Sequence, residues 1–345
     1  MKKVLVGMSG GVDSSVSAYI LKERGYEVCG LTLDLLEESN LGAINDAKAV
    51  AEKLGIKHIV LNLSKEFKQS IIKYFISEYQ TGRTPNPCVM CNKKIKFGIL
   101  LDYALENGFD YVATGHYANV VYDENSNRWL LKKSAALKDQ SYFLYKLNQH
   151  QLSHILFPLE NHQKSEVREI AKKLNLPVAE KSESQDICFI PNGKHTEFIL
   201  SNLKSKLPQG NFLNKNGDIL GKHKGLINYT VGQRKGLGIS AAHPLYVEKI
   251  DSKTNSIMLC GPDEGYKSEI KIKDVNFIKY DSPADSIKAW VKIRYRATPT
   301  SCTVFPLDKK EARIVFDYPQ RFPAPGQSAV FYDENEIVIG GGIIE

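Results

Sequence analysis

Long apolar runs are missing from this chain of 345 residues: none approaches the ~20 residues that a membrane-spanning helix requires. The first apolar run, beginning at Val4, breaks almost at once into a glycine loop, so the pattern of a cleaved secretory leader is absent too. The chain is therefore read as cytoplasmic, with no membrane partner. Cysteine is sparse, with six residues at positions 29, 88, 91, 188, 260 and 302. In a chain of this size and compartment that is no disulfide framework, and clustered thiols become candidates for metal or redox chemistry instead. Neither charge dominates. Lys and Arg number 46 against 39 Asp and Glu, a formal +7 that suits an anionic partner without requiring one. Internal repeats and low-complexity tracts are lacking, and the length allows two or three domains.

Another absence lies inside the most informative segment. Val4-Leu5-Val6-Gly7-Met8-Ser9-Gly10-Gly11-Val12-Asp13-Ser14-Ser15 reads as a buried strand, a Gly-rich turn and a helix start. Such a turn offers free backbone N–H groups and the positive end of the helix dipole to an anion, and glycine lets phosphate approach the backbone closely. The Gly-Lys-Ser/Thr ending of a Walker A loop is missing, and with it the lysine that draws charge from the terminal phosphates, which argues against γ-phosphate hydrolysis. Ser9 to Ser14 instead resembles the pyrophosphatase loop of the N-type ATP family, whose members cleave ATP between the α- and β-phosphates and leave an adenylated substrate. That resemblance implies ATP held by Gly7, Met8, Ser9, Gly10, Gly11, Val12, Asp13 and Ser14, with Asp13 near a Mg²⁺ ion.

Strand-like runs then alternate with amphipathic helical stretches: Val28 to Leu33, a helix near Asn45 to Leu54, His58 to Leu61, a helix ending near Asn107, and Tyr111 to Thr114. This is the alternation of a doubly wound parallel α/β sheet, with the Ser9 loop at the carboxyl end of the first strand, where such sheets bind ligands. Past about residue 205 the texture changes to turn residues and short β-rich runs. From Ile270 onward the runs Ala289 to Tyr295, Ser301 to Phe305, Ala312 to Phe316, Ser328 to Tyr332 and Ile337 to Ile339 recur at barrel-like spacing. The expected division is a catalytic domain over 1–204, a small β-rich central domain over 205–268 and a C-terminal β-barrel over 269–345.

A second constellation is Asn86-Pro87-Cys88-Val89-Met90-Cys91-Asn92 together with Ser184-Gln185-Asp186-Ile187-Cys188-Phe189. A lone Cys-x-x-Cys is half a zinc site, a redox pair or two small buried residues; a closed zinc site needs a second ligand pair, which Cys188 alone does not supply. A thioredoxin-like reading is weak, because the motif falls in a Pro/Asn-rich stretch expected to be a loop. With Thr114-Gly115-His116-Tyr117-Ala118, Lys138-Asp139-Gln140-Ser141-Tyr142 and Tyr229-Thr230-Val231-Gly232-Gln233-Arg234, the ordered set resembles the tRNA-specific 2-thiouridylases across almost the whole chain.

The resemblance implies an adenine nucleotide alpha hydrolase-like fold and a tRNA sulfurtransferase. Such an enzyme adenylates the 2-oxygen of a wobble uridine with ATP and Mg²⁺, then replaces it with sulfur. Cys188 is implied as the persulfide carrier and Cys91 as the second catalytic thiol, the pair ending as a disulfide. Leu33 and Gly115 are implied to line the ATP site; Asn86, Pro87 and Cys88 to sit beside the target base; Lys138, Asp139, Gln140, Arg294 and Tyr295 to contact tRNA. Partners are tRNA and a persulfide-donating sulfur carrier or cysteine desulfurase. Many relatives carry aspartate where Cys88 stands, so an acid/base role does not transfer to it. Cys88, Cys91 and Cys188 are alternatively ligands of a [4Fe–4S] cluster with one open iron. Two other classes are distinguishable: an N-type ATP ligase of a small metabolite needs neither Cys91 nor Cys188, and a non-catalytic RNA-binding protein releases no pyrophosphate.

Overall fold

Val4, Leu5, Val6, Leu31, Val112 and Ala113 have no accessible surface at all, as expected of short apolar strands covered on both faces. In this computed structural model, which describes residues 1–36, 41–182, 187–190, 193–203, 207–281, 283, 285–308 and 310–345, they lie in β1 (Lys3–Gly7), β2 (Glu27–Asp34) and, after β3 (Lys57–Asn62), in β4 (Tyr111–Thr114). A hairpin follows, β5 (Ala118–Asp123) with β6 (Arg128–Lys133), and then the short β7 (Ile155–Leu156). The parallel sheet runs β3-β2-β1-β4-β7. Helices α1 (Val12–Glu23) and α2 (Leu41–Leu54) bury Val16, Leu21, Ala47 and Val50 with Val4 and Val6 on one face, while Leu100, Leu101 and Ala104 meet Leu5, Leu31 and Val112 on the other. The order reverses between β1 and β4, the switch point at which such sheets take ligands. Both the Ser9 loop and Gly115 follow strands that end there.

The next four strands, β8 (Gly210–Leu213), β9 (Ile219–His223), β10 (Tyr246–Asp251) and β11 (Ser256–Cys260), form a sheet in the order β10-β11-β8-β9 over Phe212, Val247, Ile257 and Leu259. The last six close into a barrel: β12 (Tyr266–Phe277), β13 (Ile287–Lys292), β14 (Thr300–Pro306), β15 (Glu311–Arg321), β16 (Ser328–Tyr332) and β17 (Val338–Ile344). Closure leaves no unpaired edge, and Ile272, Val291, Val304, Ile314 and Phe331 fill the interior. The run expected as a strand from Ala289 to Tyr295 stops at Lys292. Arg294 and Tyr295 lie in the bend beyond it.

The barrel is fused to the parallel-sheet domain. Tyr142 Oη donates to the Ser328 carbonyl at 2.8 Å, Asn276 donates to the Tyr145 carbonyl at 2.7 Å, and buried Lys146 pairs with Asp274. Gly341 lies so flat on Tyr145 that a Cβ there would come within 2.6 Å of its ring. The segment leading to the cysteines is held as well. Thr84 N–H donates to the Pro325 carbonyl at 2.8 Å, Gln327 donates to the Thr84 carbonyl at 2.9 Å, and Arg83 donates to the Ile344 carbonyl at 2.8 Å.

Candidate active site

The loop after β1 is built to present backbone. Gly10 has φ +67, a conformation open to glycine, and a Cβ there would meet the Ala43 carbonyl at 2.4 Å. Gly11 precedes α1 and supplies no side-chain cap, so the first N–H groups of the helix keep their donors for an anion. Ser14 Oγ accepts from Ser9 N–H at 3.2 Å and donates to the Gly11 carbonyl at 3.2 Å, which ties the loop into a ring. Gly115 abuts this ring: a Cβ there would stand 2.7 Å from Ser14 N and 2.9 Å from Asp13 Cβ. Its part is therefore to let β4 pack against the loop. Thr32, one residue before Leu33, donates to the Met8 carbonyl at 2.8 Å and joins β2 to the loop.

Cations converge where the Walker lysine is missing. Asp13 is bonded by Lys138 at 3.3 Å, by Lys164, and by the hydroxyl of buried Tyr117 at 2.9 Å. Lys181 donates to the Gly10 carbonyl at 2.9 Å and pairs with Asp46 at 2.6 Å. Three lysines from three separate segments thus ring one loop. Uncapped N–H groups, a glycine cradle and these ammonium groups fit a polyphosphate. Asp13 is the loop's carboxylate and the residue that would hold Mg²⁺, whose charge would offset that of the phosphates. Of these three lysines the sequence reading singled out Lys138 alone, and assigned it to tRNA rather than to the loop. Lys164 opens a distant helix, Lys164–Lys173, and no local pattern marks it.

The residues assigned to tRNA are largely engaged within the fold. Asp139 accepts from Ser141 N–H and Oγ at 3.0 and 2.9 Å, and Gln140 accepts from Tyr117 N–H at 3.0 Å. Tyr295 packs on Phe143 with ring centroids 4.5 Å apart, and Arg294, still exposed, donates to the Phe322 carbonyl. A separate cavity of about 430 Å³, lined by Arg234, Leu237, His243 and Leu245 among others, lies in the central region.

The Cys-x-x-Cys stretch differs from its expected form. Instead of a loop, Pro87–Cys91 is a short helix with Pro87 at its first position, where a fixed φ and a missing N–H cost nothing, and it runs on into a π-helical turn, Asn92–Ile99. Cys91 is buried and Cys88 half-buried. Cys188 is exposed, so a partner can reach it, although the protein crowding its thiol still raises the pKa. It stands in the turn Ile187–Ile190, which is anchored by Phe189 among Phe67, Phe75 and Phe198. The matched Ser184, Gln185 and Asp186 lie outside the described residues.

Folding joins what sequence separates. The Cys91 thiol is pushed up to about 12 by burial, lowered by Lys96, and raised by the charges of Cys188 and Cys88; that of Cys88 is pushed up to about 11 by burial and by Cys188, against Lys96. Three thiols and one lysine therefore share an electrostatic neighbourhood. All three cysteines are free. Among the described residues no group of three or more His, Cys, Asp or Glu is arranged to hold a metal ion. His116 links this cluster to the loop. Buried and bonded to Thr114 Oγ1 at 2.8 Å, it is kept well below the usual histidine range by desolvation and by Lys96 and Lys138.

Fold and site define an α/β domain of nucleotide-binding type that also carries Cys88, Cys91 and Cys188 and is continued by two β domains. Family models agree along the chain: the tRNA methyl transferase HUP domain matches residues 2–192, the tRNA methyl transferase PRC-barrel domain 196–261, and the aminomethyltransferase β-barrel domain 267–344. A tRNA-specific 2-thiouridylase MnmA of Acetivibrio thermocellus is 48% identical over 100% of this chain and 99% of its own. MnmA 2 of Caldanaerobacter subterraneus subsp. tengcongensis is 50% identical over 99% and 98%. The chain belongs to the tRNA-specific 2-thiouridylase family, enzymes of the tRNA sulfurtransferase class. Among the described residues no helix is long and apolar enough to cross a membrane.

Proposed function

We propose that this protein is an ATP-dependent tRNA-uridine 2-sulfurtransferase that works through a cysteine persulfide. The observation that supports the reading is the electrostatic neighbourhood shared by Cys91, Cys88 and Cys188, with His116 influenced both by Lys96, which acts on those thiols, and by Lys138, which pairs with Asp13 of the loop. A uridine carbonyl oxygen is a poor leaving group. Attack of that oxygen on the α-phosphate of ATP, with pyrophosphate departing toward the α1 N-terminus and its ring of lysines, turns it into an adenylate. The terminal sulfur of a Cys188 persulfide, as its anion, then attacks C2; the C–S bond forms as the C–O bond to AMP breaks. Cys91, having lost its proton to water, attacks Sγ of Cys188. The S–S bond breaks toward the sulfur on C2, which leaves 2-thiouridine and a Cys91–Cys188 disulfide. An external thiol reductant restores the pair, and a persulfide-donating carrier or a cysteine desulfurase reloads exposed Cys188.

We also propose a catalytic domain over 1–204, a central tRNA-contacting domain over 205–268 and the barrel over 269–345, with the target base beside Asn86, Pro87 and Cys88. The test is to incubate anaerobically purified protein with ATP, Mg²⁺, a persulfide donor and unmodified tRNA, digest the RNA and look for 2-thiouridine by mass spectrometry, with iron assayed alongside. Product from iron-free protein is expected. Product only with bound iron would overturn the persulfide route, and AMP formed on a small metabolite in the absence of tRNA would favour a ligase.

A further inference from the structure

Trp290 is one of only two tryptophans in the chain and stands open to solvent, with 42% of its surface exposed. In β13 the alternate residues Ala289 and Val291 fill the barrel, so Lys288, Trp290 and Lys292 share the outer face. Two lysines thus flank an indole over about 13 Å of strand. Their cross-strand neighbours on β14, Thr303 for Lys288 and Ser301 for Trp290, carry no charge, and among the described residues neither lysine forms an ion pair. Asp139 lies within the field of Lys292 but takes its hydrogen bonds from Ser141. On its other side this face runs into the seam with the parallel-sheet domain. Trp290 pairs with Tyr332 on β16, and the Tyr332 hydroxyl lies 3.3 Å from Ser141 Oγ, which donates to Asp139 at 2.9 Å. Lys292 Nζ stands 5.4 Å from the centre of the Tyr295 ring and 5.9 Å from that of Tyr142. Tyr295 rests on Phe143, whose carbonyl accepts from the Asn92 amide at 3.1 Å, one residue from Cys91. The row therefore leads from open solvent, past both segments that the resemblance assigns to tRNA, toward the helix of the two cysteines.

A lone exposed aromatic needs no explanation, but an indole set between two lysines on one face does. Rings with cations alongside are how proteins hold unpaired nucleotides: the ring stacks on a base while the ammonium groups meet phosphate. Tyr295, the ring assigned to that task by resemblance, is engaged by Phe143, and Asp139 and Gln140 are bonded within the fold. We propose that the outer face of β13 is a nucleotide platform, on which Trp290 stacks an unpaired base of the bound tRNA and Lys288 and Lys292 meet the flanking phosphates. This rests on tRNA being the substrate. The platform acts on affinity and placement, and no bond to it forms or breaks.

The test uses the full chain with Trp129→Phe, which leaves Trp290 as the sole tryptophan and its emission as the reporter. On titration with unmodified tRNA, with binding followed in parallel by gel mobility shift, that emission should be quenched in step with complex formation. In the otherwise native chain, Trp290→Ala should weaken tRNA binding about tenfold, while Trp290→Phe keeps most of it and neither changes ATP affinity. Lys288→Gln and Lys292→Gln should each lower the slope of log affinity against log salt by about one. Should Trp290→Ala fold poorly, the quenching and the lysine variants carry the same expectation. Unaltered emission in a formed complex overturns the inference, as does unaltered affinity in Trp290→Ala. Equal quenching by heparin, which has the charge and no bases, overturns it too. So does a loss of persulfide loading with tRNA affinity intact, which would make the face a seat for a protein. A wild-type chain that binds no tRNA would sink the tRNA reading itself, whereas one that binds with quenching and makes no 2-thiouridine would sink the sulfur chemistry alone.

Discussion

The phosphate loop and the thiol cluster lie in one domain and are built on opposite plans. The loop is contiguous, spanning Gly7 to Ser14, and acts through backbone; its shape is enforced by steric contacts at Gly10 and Gly115 and by hydrogen bonds within its own residues. The thiol cluster is assembled from two distant segments, and the protein around its thiols raises the pKa of each. A phosphate site that is shaped in advance needs no charge of its own to change. A sulfur site must change charge to act, since the thiolate and not the thiol is the nucleophile. The two halves should therefore fail separately.

The largest separation is expected from the cysteines. Cys91→Ser and Cys188→Ser should each cut 2-thiouridine formation by more than about 10³-fold, because the two act as one unit. Pyrophosphate release by Cys188→Ser should persist, and normal thiolation by either variant would erase the distinction. Asp13→Ala attacks the other half: AMP formation should fall about 10²-fold, while alkylation of Cys188 stays at the wild-type rate. Gly115→Ala presses a methyl onto Ser14 N and Asp13. Overpacking of this kind costs about 1–3 kcal/mol, to be seen as a lower midpoint in denaturant together with weaker ATP binding.

The smallest effect is on pH. His116 has a folded pKa well below its unfolded one, because desolvation disfavours the charged ring. The unfolded chain then binds the proton first. Stability is fully present above about pH 6.5 and falls on acidification by up to about 1.4 kcal/mol per pH unit. Denaturation at successive pH values should show this slope, and His116→Leu should flatten it toward the share left by His58 and His223, both also lowered by burial.

Those two plans explain what could be read in advance. The β1 loop was legible because an anion site made of backbone needs only a strand, glycines and a helix start in succession. The parallel sheet and the barrel followed from apolar runs and turn spacing. Resemblance paired Cys91 with Cys188, and no spacing rule would have done so. The lysines around the loop were hidden, since Lys164 on Asp13 and Lys181 on the Gly10 carbonyl enter from segments whose own sequence speaks only of helix and turn. The helix at Pro87 was missed because Pro and Asn read as loop, although a proline at the first helical position is well placed.

The staples between the barrel and Arg83 and Thr84 carry a genetic implication. A nonsense or frameshift change that removed β17 would leave every thiol and every residue of the phosphate loop encoded. It would also remove the Ile344 carbonyl that holds Arg83 and open the barrel wall that holds Thr84. Such an allele should be scored as a defect in sulfur transfer and would map, misleadingly, far from the codons of the cysteines it disables.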